Sequence, residues 1–181
     1  MNAVVVYESV YGNTRSIAEA IAESLGDADA LPVHEAARGM RAADLLVVGG
    51  PTHMHGLATT RSRQIAAAAA AEDGDTPVDP SATEEPGLRR WLRDLPRATG
   101  ARAATFDTRL DRSPRLTGVA SRGIARRLRR RGYEVICTES FLVAEPEGPL
   151  EEGELDRARA WGAQLAATIA ERAEAAQAAS T

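Results

Sequence analysis

The sequence predicts an α/β fold: a doubly wound, five-stranded parallel sheet with helices on both faces. Three observations predict it. Apolar runs without alternation, Val4-Val5-Val6 and Leu45-Leu46-Val47-Val48, read as strands buried on both faces of a parallel sheet. Segments of helical periodicity separate the strand-like runs, and that alternation implies right-handed crossovers. The first strand also runs through a polar turn straight into a helix, at the sheet edge where ligands collect in such folds.

Taken in order, residues 4–7 make the first strand. A helix follows over 14–25, with Ile17, Ile21 and Leu25 recurring every four residues and Gly26 as its stop. Residues 30–33 make a short second strand, placed at an edge by Pro32. Residues 44–49 make the third, ended by Gly49-Gly50-Pro51. Residues 60–72 read as an alanine-rich helix of high intrinsic propensity. The stretch 72–85 carries six acidic residues, no basic one, and Pro77 and Pro80, so 73–87 is expected to be a mobile acidic loop. A short helix over 88–95 offers Trp91, Leu92 and Leu95 for packing. The fourth strand spans 101–106, with Phe106 as its last core residue. A helix over 121–131, a fifth strand over 135–143 and a closing helix over 155–170 complete the pattern. The closing helix has its stripe at Leu155, Ala158, Gly162, Leu165 and Ile169. Residues 1–172 are expected to form one domain and 173–181 a frayed tail.

At 181 residues the chain suits one domain with a substantial core. Its net charge of −4 argues against a general nucleic-acid binder. All 22 basic residues are arginine, and six of them crowd into 122–131. There Val119, Ala120, Ile124 and Leu128 keep the apolar stripe, so the arginines read as a solvated face without an aromatic stacking platform. The single cysteine, Cys137, excludes an intramolecular disulfide and a cysteine-built metal cluster. No run approaches the roughly 20 apolar residues of a membrane span, and no secretory signal opens the chain. A cytoplasmic location is the expectation.

The clearest motif is Ser9-Val10-Tyr11-Gly12-Asn13-Thr14, between the first strand and its helix. Hydroxyl donors, backbone N–H groups and a helix N-terminus together suit a phosphate. Neither the lysine-bearing P-loop nor a G-x-G-x-x-G fingerprint is present, so the grip would come largely from neutral groups. This motif resembles the T-x-T-G-N-T loop of flavodoxins, which grips the FMN phosphate. Ser9 stands where that family has threonine or serine, Tyr11 departs from its usual hydroxyl residue, and Gly12-Asn13-Thr14 is intact. The resemblance implies the short-chain form, the strand order 2-1-3-4-5 and FMN as cofactor.

A second stretch, Gly49-Gly50-Pro51-Thr52-His53-Met54-His55-Gly56, follows the third strand and resembles the family's second flavin loop. Many flavodoxins place tryptophan or tyrosine there. This sequence has neither, so His53, Met54 or His55 would cover the ring. Gly56 either makes a turn or allows a peptide flip near flavin N5. After the fourth strand, Asp107, Thr108 and Arg109 match the loop that in the family covers the other face and bonds the pyrimidine edge. An inward Arg109 would favour reduced, anionic flavin, whereas Asp107 or Asp111 could neutralise it on the surface. Two histidines at i and i+2, with only His34 elsewhere, make a poor metal signature.

The function implied is that of a low-potential FMN electron carrier working between redox partner proteins, a reductase and an acceptor. Its acidic stretches 72–85 and 145–156 would steer basic partners. An FMN-dependent oxidoreductase of the same fold is the alternative, an NAD(P)H or quinone reductase or a protoporphyrinogen-oxidase-like enzyme acting on a small quinone-like substrate. A binding module that has lost FMN is the third.

Overall fold

The computed structural model describes residues 2–26, 28–40, 43–53, 56–113 and 118–178. In chain order its elements are β1 (Ala3–Tyr7), α1 (Asn13–Ser24), β2 (Asp29–Pro32), α2 (Val33–Ala36), β3 (Leu45–His53) and β4 (Gly56–Leu57). They continue with α3 (Thr60–Asp73), α4 (Leu88–Asp94), β5 (Arg102–Leu110), α5 (Ala120–Arg130), β6 (Glu134–Val143) and α6 (Glu154–Ala178). The sheet order is β2-β1-β3-β5-β6, with every neighbouring pair parallel. This is the expected 2-1-3-4-5 order, with β4 added as a short antiparallel partner of the end of β3. Pro32 ends β2, which is an edge strand. Val33, expected in that strand, opens α2 instead.

Every residue of β1 is buried, because its two faces meet two different helix layers. Val5 and Tyr7 pack under α1 and α6 with Ile17, Ile21, Leu165 and Ile169. Val4 and Val6 pack on the other face with Leu88, Leu92, Ile124 and Leu128 of α4 and α5. Phe106, Phe141 and Trp161 form an edge-to-face cluster with centroids 6.1–6.4 Å apart, a geometry that suits the ring quadrupoles. In α6 the buried stripe is Ala158, Trp161, Leu165 and Ile169. Leu155, expected in it, is 38% exposed.

Two strands outrun their sequence-based limits. β3 continues through Gly49-Gly50-Pro51 to His53, and β5 continues past Phe106 to Leu110. Their extensions pair with each other, Gly50 with Asp107 and Pro51 with Thr108, and β6 pairs with β5 as far as Val143. Asp107, Thr108 and Arg109 are therefore strand residues, where a loop was expected. β1 ends opposite Gly49, so beyond that point β3 pairs with the main sheet on one side only, a setting that tolerates Pro51. Gly49 has a packing reason of its own: a Cβ there would lie 2.0 Å from the Phe106 ring.

The segment read as a mobile acidic loop has anchors on the body of the protein. The Asp79 N–H donates to the Val10 carbonyl at 2.8 Å, and Asp79 and Ala82 are buried. The closing helix runs on to Ala178, beyond the point where fraying was expected. Among the described residues no helix is long and apolar enough to cross a membrane.

Candidate functional site

A cavity of about 420 Å³ opens at the carboxyl ends of β1, β3 and β5. Its floor is the turn between β1 and α1. Gly12, at φ 89°, lets the chain reverse into the helix, and its N–H donates to Ser9 Oγ at 3.1 Å. No side chain caps α1. The first-turn N–H groups of Asn13, Thr14 and Arg15 have no acceptor within the helix, and that end carries partial positive charge. Asn13 Nδ2 donates to the Glu147 carbonyl at 2.9 Å, which brings the β6–α6 connection to the cavity. Thr14 Oγ1 lies 2.7 Å from Thr108 Oγ1, both buried.

The second side of the cavity is Pro51, Thr52 and His53 at the end of β3. Thr52 is held in place by both functions of its hydroxyl. It donates to Asp107 Oδ2 at 2.9 Å and accepts from the Ala120 N–H at 2.9 Å. Asp107 Oδ2 also accepts from the Ser121 N–H at 2.9 Å. Val119 at the N-cap of α5 has no side chain to cap with, so Thr52 and Asp107 cap that helix from the neighbouring strands.

The third side is Thr108, Arg109 and Leu110. The Arg109 guanidinium donates through Nη1 to the carbonyls of Leu110 and Arg112, each at 3.0 Å. Its Nε is buried without an acceptor, and among the described residues no carboxylate pairs with it. Neither Asp107 nor Asp111 neutralises it. Burial pushes the Tyr11 hydroxyl above its ordinary pKa, and the nearby Glu147 charge adds to the effect.

The fourth side comes from α3, which the sequence did not mark. Ala58, Ser62, Arg63 and Ala66 line it. Thr59 caps α3 through a reciprocal box with Ser62, which fixes the helix start beside the cavity. Arg63 is buried and densely bonded: Nη1 to the carbonyls of Ala82 (2.8 Å) and Glu84 (3.0 Å), Nη2 to Glu85 Oε1 (2.7 Å). Its Nε lies 3.3 Å from Glu8 Oε2, which accepts from the Leu88 N–H at 2.8 Å. Burial raises the Glu8 carboxyl pKa, opposed by the Leu88 hydrogen bond and the Arg63 charge. For Glu85 burial also pushes upward, but hydrogen bonds from Thr60, Gly87 and Arg63 prevail and hold it below the usual range.

Of the candidates named from sequence, Ser9, Val10, Tyr11, Asn13, Thr14, Pro51, Thr52, His53, Thr108 and Arg109 line this one cavity. Gly12 shapes the turn from outside the lining. Gly56 pairs with His53 in the β3–β4 ladder and does not line the cavity. Asp107 is fully buried beneath the site, a helix cap where a ring contact was expected. Met54 and His55 lie outside the described residues. Val143, Pro146 and Glu147, at and beyond the end of β6, were missed. Arg63 carried no sequence signal of its own, since Arg61 stands two residues before it in the same alanine-rich helix.

Residues 4–66 match the family model described as the flavodoxin domain. The chain's fold is flavodoxin-like. Among solved structures it is similar to oxidised flavodoxin 2 from Bacillus cereus, at 19% identity and a TM-score of 0.59, covering 95% of this chain and 99% of that one. Flavodoxin 1 from the same organism gives 16% and 0.56, with 90% of this chain and 95% of that one covered. A flavodoxin from the domain Archaea gives 17% and 0.55, with 93% and 99% covered. At these identities the structures establish the flavodoxin-like fold over nearly the whole chain. No curated protein matches it.

Proposed function

We propose that this flavodoxin-like chain binds FMN in the cavity and serves as an electron carrier between redox partner proteins. One observation carries the reading: the phosphate-type loop 9–14 and the strand ends 51–53 and 108–110 line a single cavity. The donor set fits the cofactor. Ser9, Asn13, Thr14 and the first-turn N–H groups of α1 supply neutral donors for a phosphate. The Thr108 hydroxyl, 2.7 Å from that of Thr14, steadies the phosphate end, and the unpartnered Arg109 Nε supplies a donor for the polar edge of an isoalloxazine. Pro51 and His53 offer surface to a ring face, and Met54 and His55 are assigned there by the resemblance alone. FMN, when bound, takes up and releases electrons, and the protein orients it and sets its electrostatic surroundings. Arg109 would hold positive charge at the ring edge and so favour the reduced, negatively charged cofactor.

A second reading, an FMN-dependent oxidoreductase, has its own support. The α3 side presents only Ala58, Ser62, Arg63 and Ala66, and Tyr11 is the single tyrosine among the described lining residues, with no tryptophan or phenylalanine. The small side chains of Ala58, Ser62 and Ala66 leave room beside Arg63 for a quinone or nicotinamide next to the flavin.

The test is the visible spectrum of the purified protein, followed by titration of apoprotein with FMN. A yellow protein that releases one FMN per chain, and loses affinity as Asn13→Ala and Thr14→Ala, agrees with the proposal. Colourless protein that takes up no added FMN overturns it in favour of a binding module. NAD(P)H oxidation with a quinone acceptor would select the oxidoreductase over the carrier.

A further inference from the structure

Charge is distributed over this chain in two blocks. Residues 88–97 and 119–133 hold ten arginines against one carboxylate, Asp94, whereas the remainder holds twelve arginines against 25 carboxylates. The fold brings the two basic stretches together. α4 and α5 pack on the same face of the sheet through Leu88, Trp91, Leu92, Ile124 and Leu128. With those side chains inward, Arg89, Arg90, Arg93 and Arg97 are exposed on one side of the ridge and Arg122, Arg126, Arg129 and Arg130 on the other. Asp94 meets Arg90 at 3.6 Å and Arg93 at 3.2 Å. Among the described residues no carboxylate pairs with an arginine of α5.

Arg127, half-buried where the two helices meet, shows the consequence. It spends one N–H on the Gly123 carbonyl at 3.0 Å. Burial lowers its pKa, and the like charges of Arg89, Arg126 and Arg130 lower it further. The ridge also borders the cavity. Arg89 Nε donates to the carbonyls of Leu57 (2.9 Å) and Ala58 (3.0 Å), and Ala58 lines the cavity. The first N–H of α5 is bonded to Thr52 on another side of it.

We infer that the α4–α5 arginine ridge docks the acidic surface of a partner electron-transfer protein, seating it beside the cavity. The redox character of that partner rests on the FMN reading; the docking does not. Three features favour a compact acidic protein. The apolar side chains of both helices are buried, so the ridge has nothing to insert into a bilayer. The 11 residues of α5 span about 16 Å, so a nucleic-acid duplex would soon run past the ridge onto an acidic surface. Trp91 is buried, so it offers no platform for bases. A partner with a matching acidic patch meets the charge without the penalty and gains oriented, salt-sensitive encounter.

The test measures binding of a strongly acidic [2Fe–2S] ferredoxin and, separately, of a DNA duplex of about 20 base pairs. Native protein is compared with R126E/R130E and with R159E/R172E, which changes net charge equally on the opposite face. The expected result is ferredoxin binding that weakens at least tenfold between about 20 and about 200 mM salt. It should fall by about tenfold or more in R126E/R130E and persist in R159E/R172E, with unchanged circular dichroism. Equal binding by R126E/R130E, no ferredoxin binding, tighter binding of the duplex, or self-association through the same arginines would each overturn the inference. FMN content measured on the same samples separates the two proposals: ferredoxin binding without FMN sinks the cofactor, and FMN without ferredoxin binding sinks the docking.

Discussion

The hydroxyl oxygens of Thr14 and Thr108 lie 2.7 Å apart and buried, across 94 residues of sequence. This contact ties the first turn of α1 to the far end of β5, where both residues line the cavity. Removing either hydroxyl leaves its buried partner with an unmet bond. Thr14→Val and Thr108→Val should each weaken FMN binding by about 1–3 kcal/mol, roughly fivefold to 150-fold. Because they share one bond, the double variant should lose less than the sum, with a coupling of at least about 0.5 kcal/mol. Fluorescence titration of the four proteins checks this, and strict additivity would sink it.

Asp107 is predicted to act on stability. Its Oδ2 accepts from Thr52 and from the Ser121 N–H at the start of α5. Asp107→Ala should cost about 3 kcal/mol in urea unfolding, since it removes two hydrogen bonds to a buried carboxylate. Asp107→Asn, which keeps an acceptor, should cost less. A variant of native stability with impaired flavin binding would restore the ring-contact reading.

Arg63 and Glu8 are predicted to stand or fall together. Arg63→Met would strand the Glu8 carboxyl in a buried site and cost about 3–5 kcal/mol. It would also release the carbonyls of Ala82 and Glu84, so amide exchange in 79–87 should quicken. Adding Glu8→Gln to Arg63→Met should recover part of the loss. Stability that keeps falling in the double variant would contradict the pairing.

Tyr7 supplies a pH dependence. Burial pushes its hydroxyl from 10.0 up to about 12, partly offset by the Arg15 charge. The fold thus favours the neutral phenol. Its contribution is complete below pH 10, where the unfolded chain is also neutral, and is lost as pH rises towards 12. The urea midpoint should therefore drop across that interval, and Tyr7→Phe should flatten the drop. Superimposable curves for the two proteins would rule it out.

Much of the fold was legible because burial on two faces writes itself into composition. β1 needed only its uninterrupted valines, and α1 only its four-residue repeat of Ile17 and Ile21. The phosphate-type loop was legible for a local reason as well: a strand, a left-handed Gly12 and an uncapped helix start are neighbours in sequence. Strand ends were harder. Gly49-Gly50-Pro51 has the chemistry of a stop, yet β3 continues to His53 because β5 pairs with it as far as Pro51 and β4 then pairs with Thr52 and His53. Arg63 was illegible for the opposite reason. Its four partners come from residues 8 and 82–85, and nothing near it in the chain announces them.

The sequence alone determined the alternation of strands and helices, the position of the loop 9–14 and the amphipathic split of α5. Each of these depends on hydrogen bonds and burial patterns that close within a few residues. Only the tertiary structure decided that Asp107 caps a helix, that α3 walls the cavity, and that two arginine stretches form one ridge. Those outcomes depend on pairings between distant segments, where the gain from a contact is set by what the whole sheet has already brought within reach.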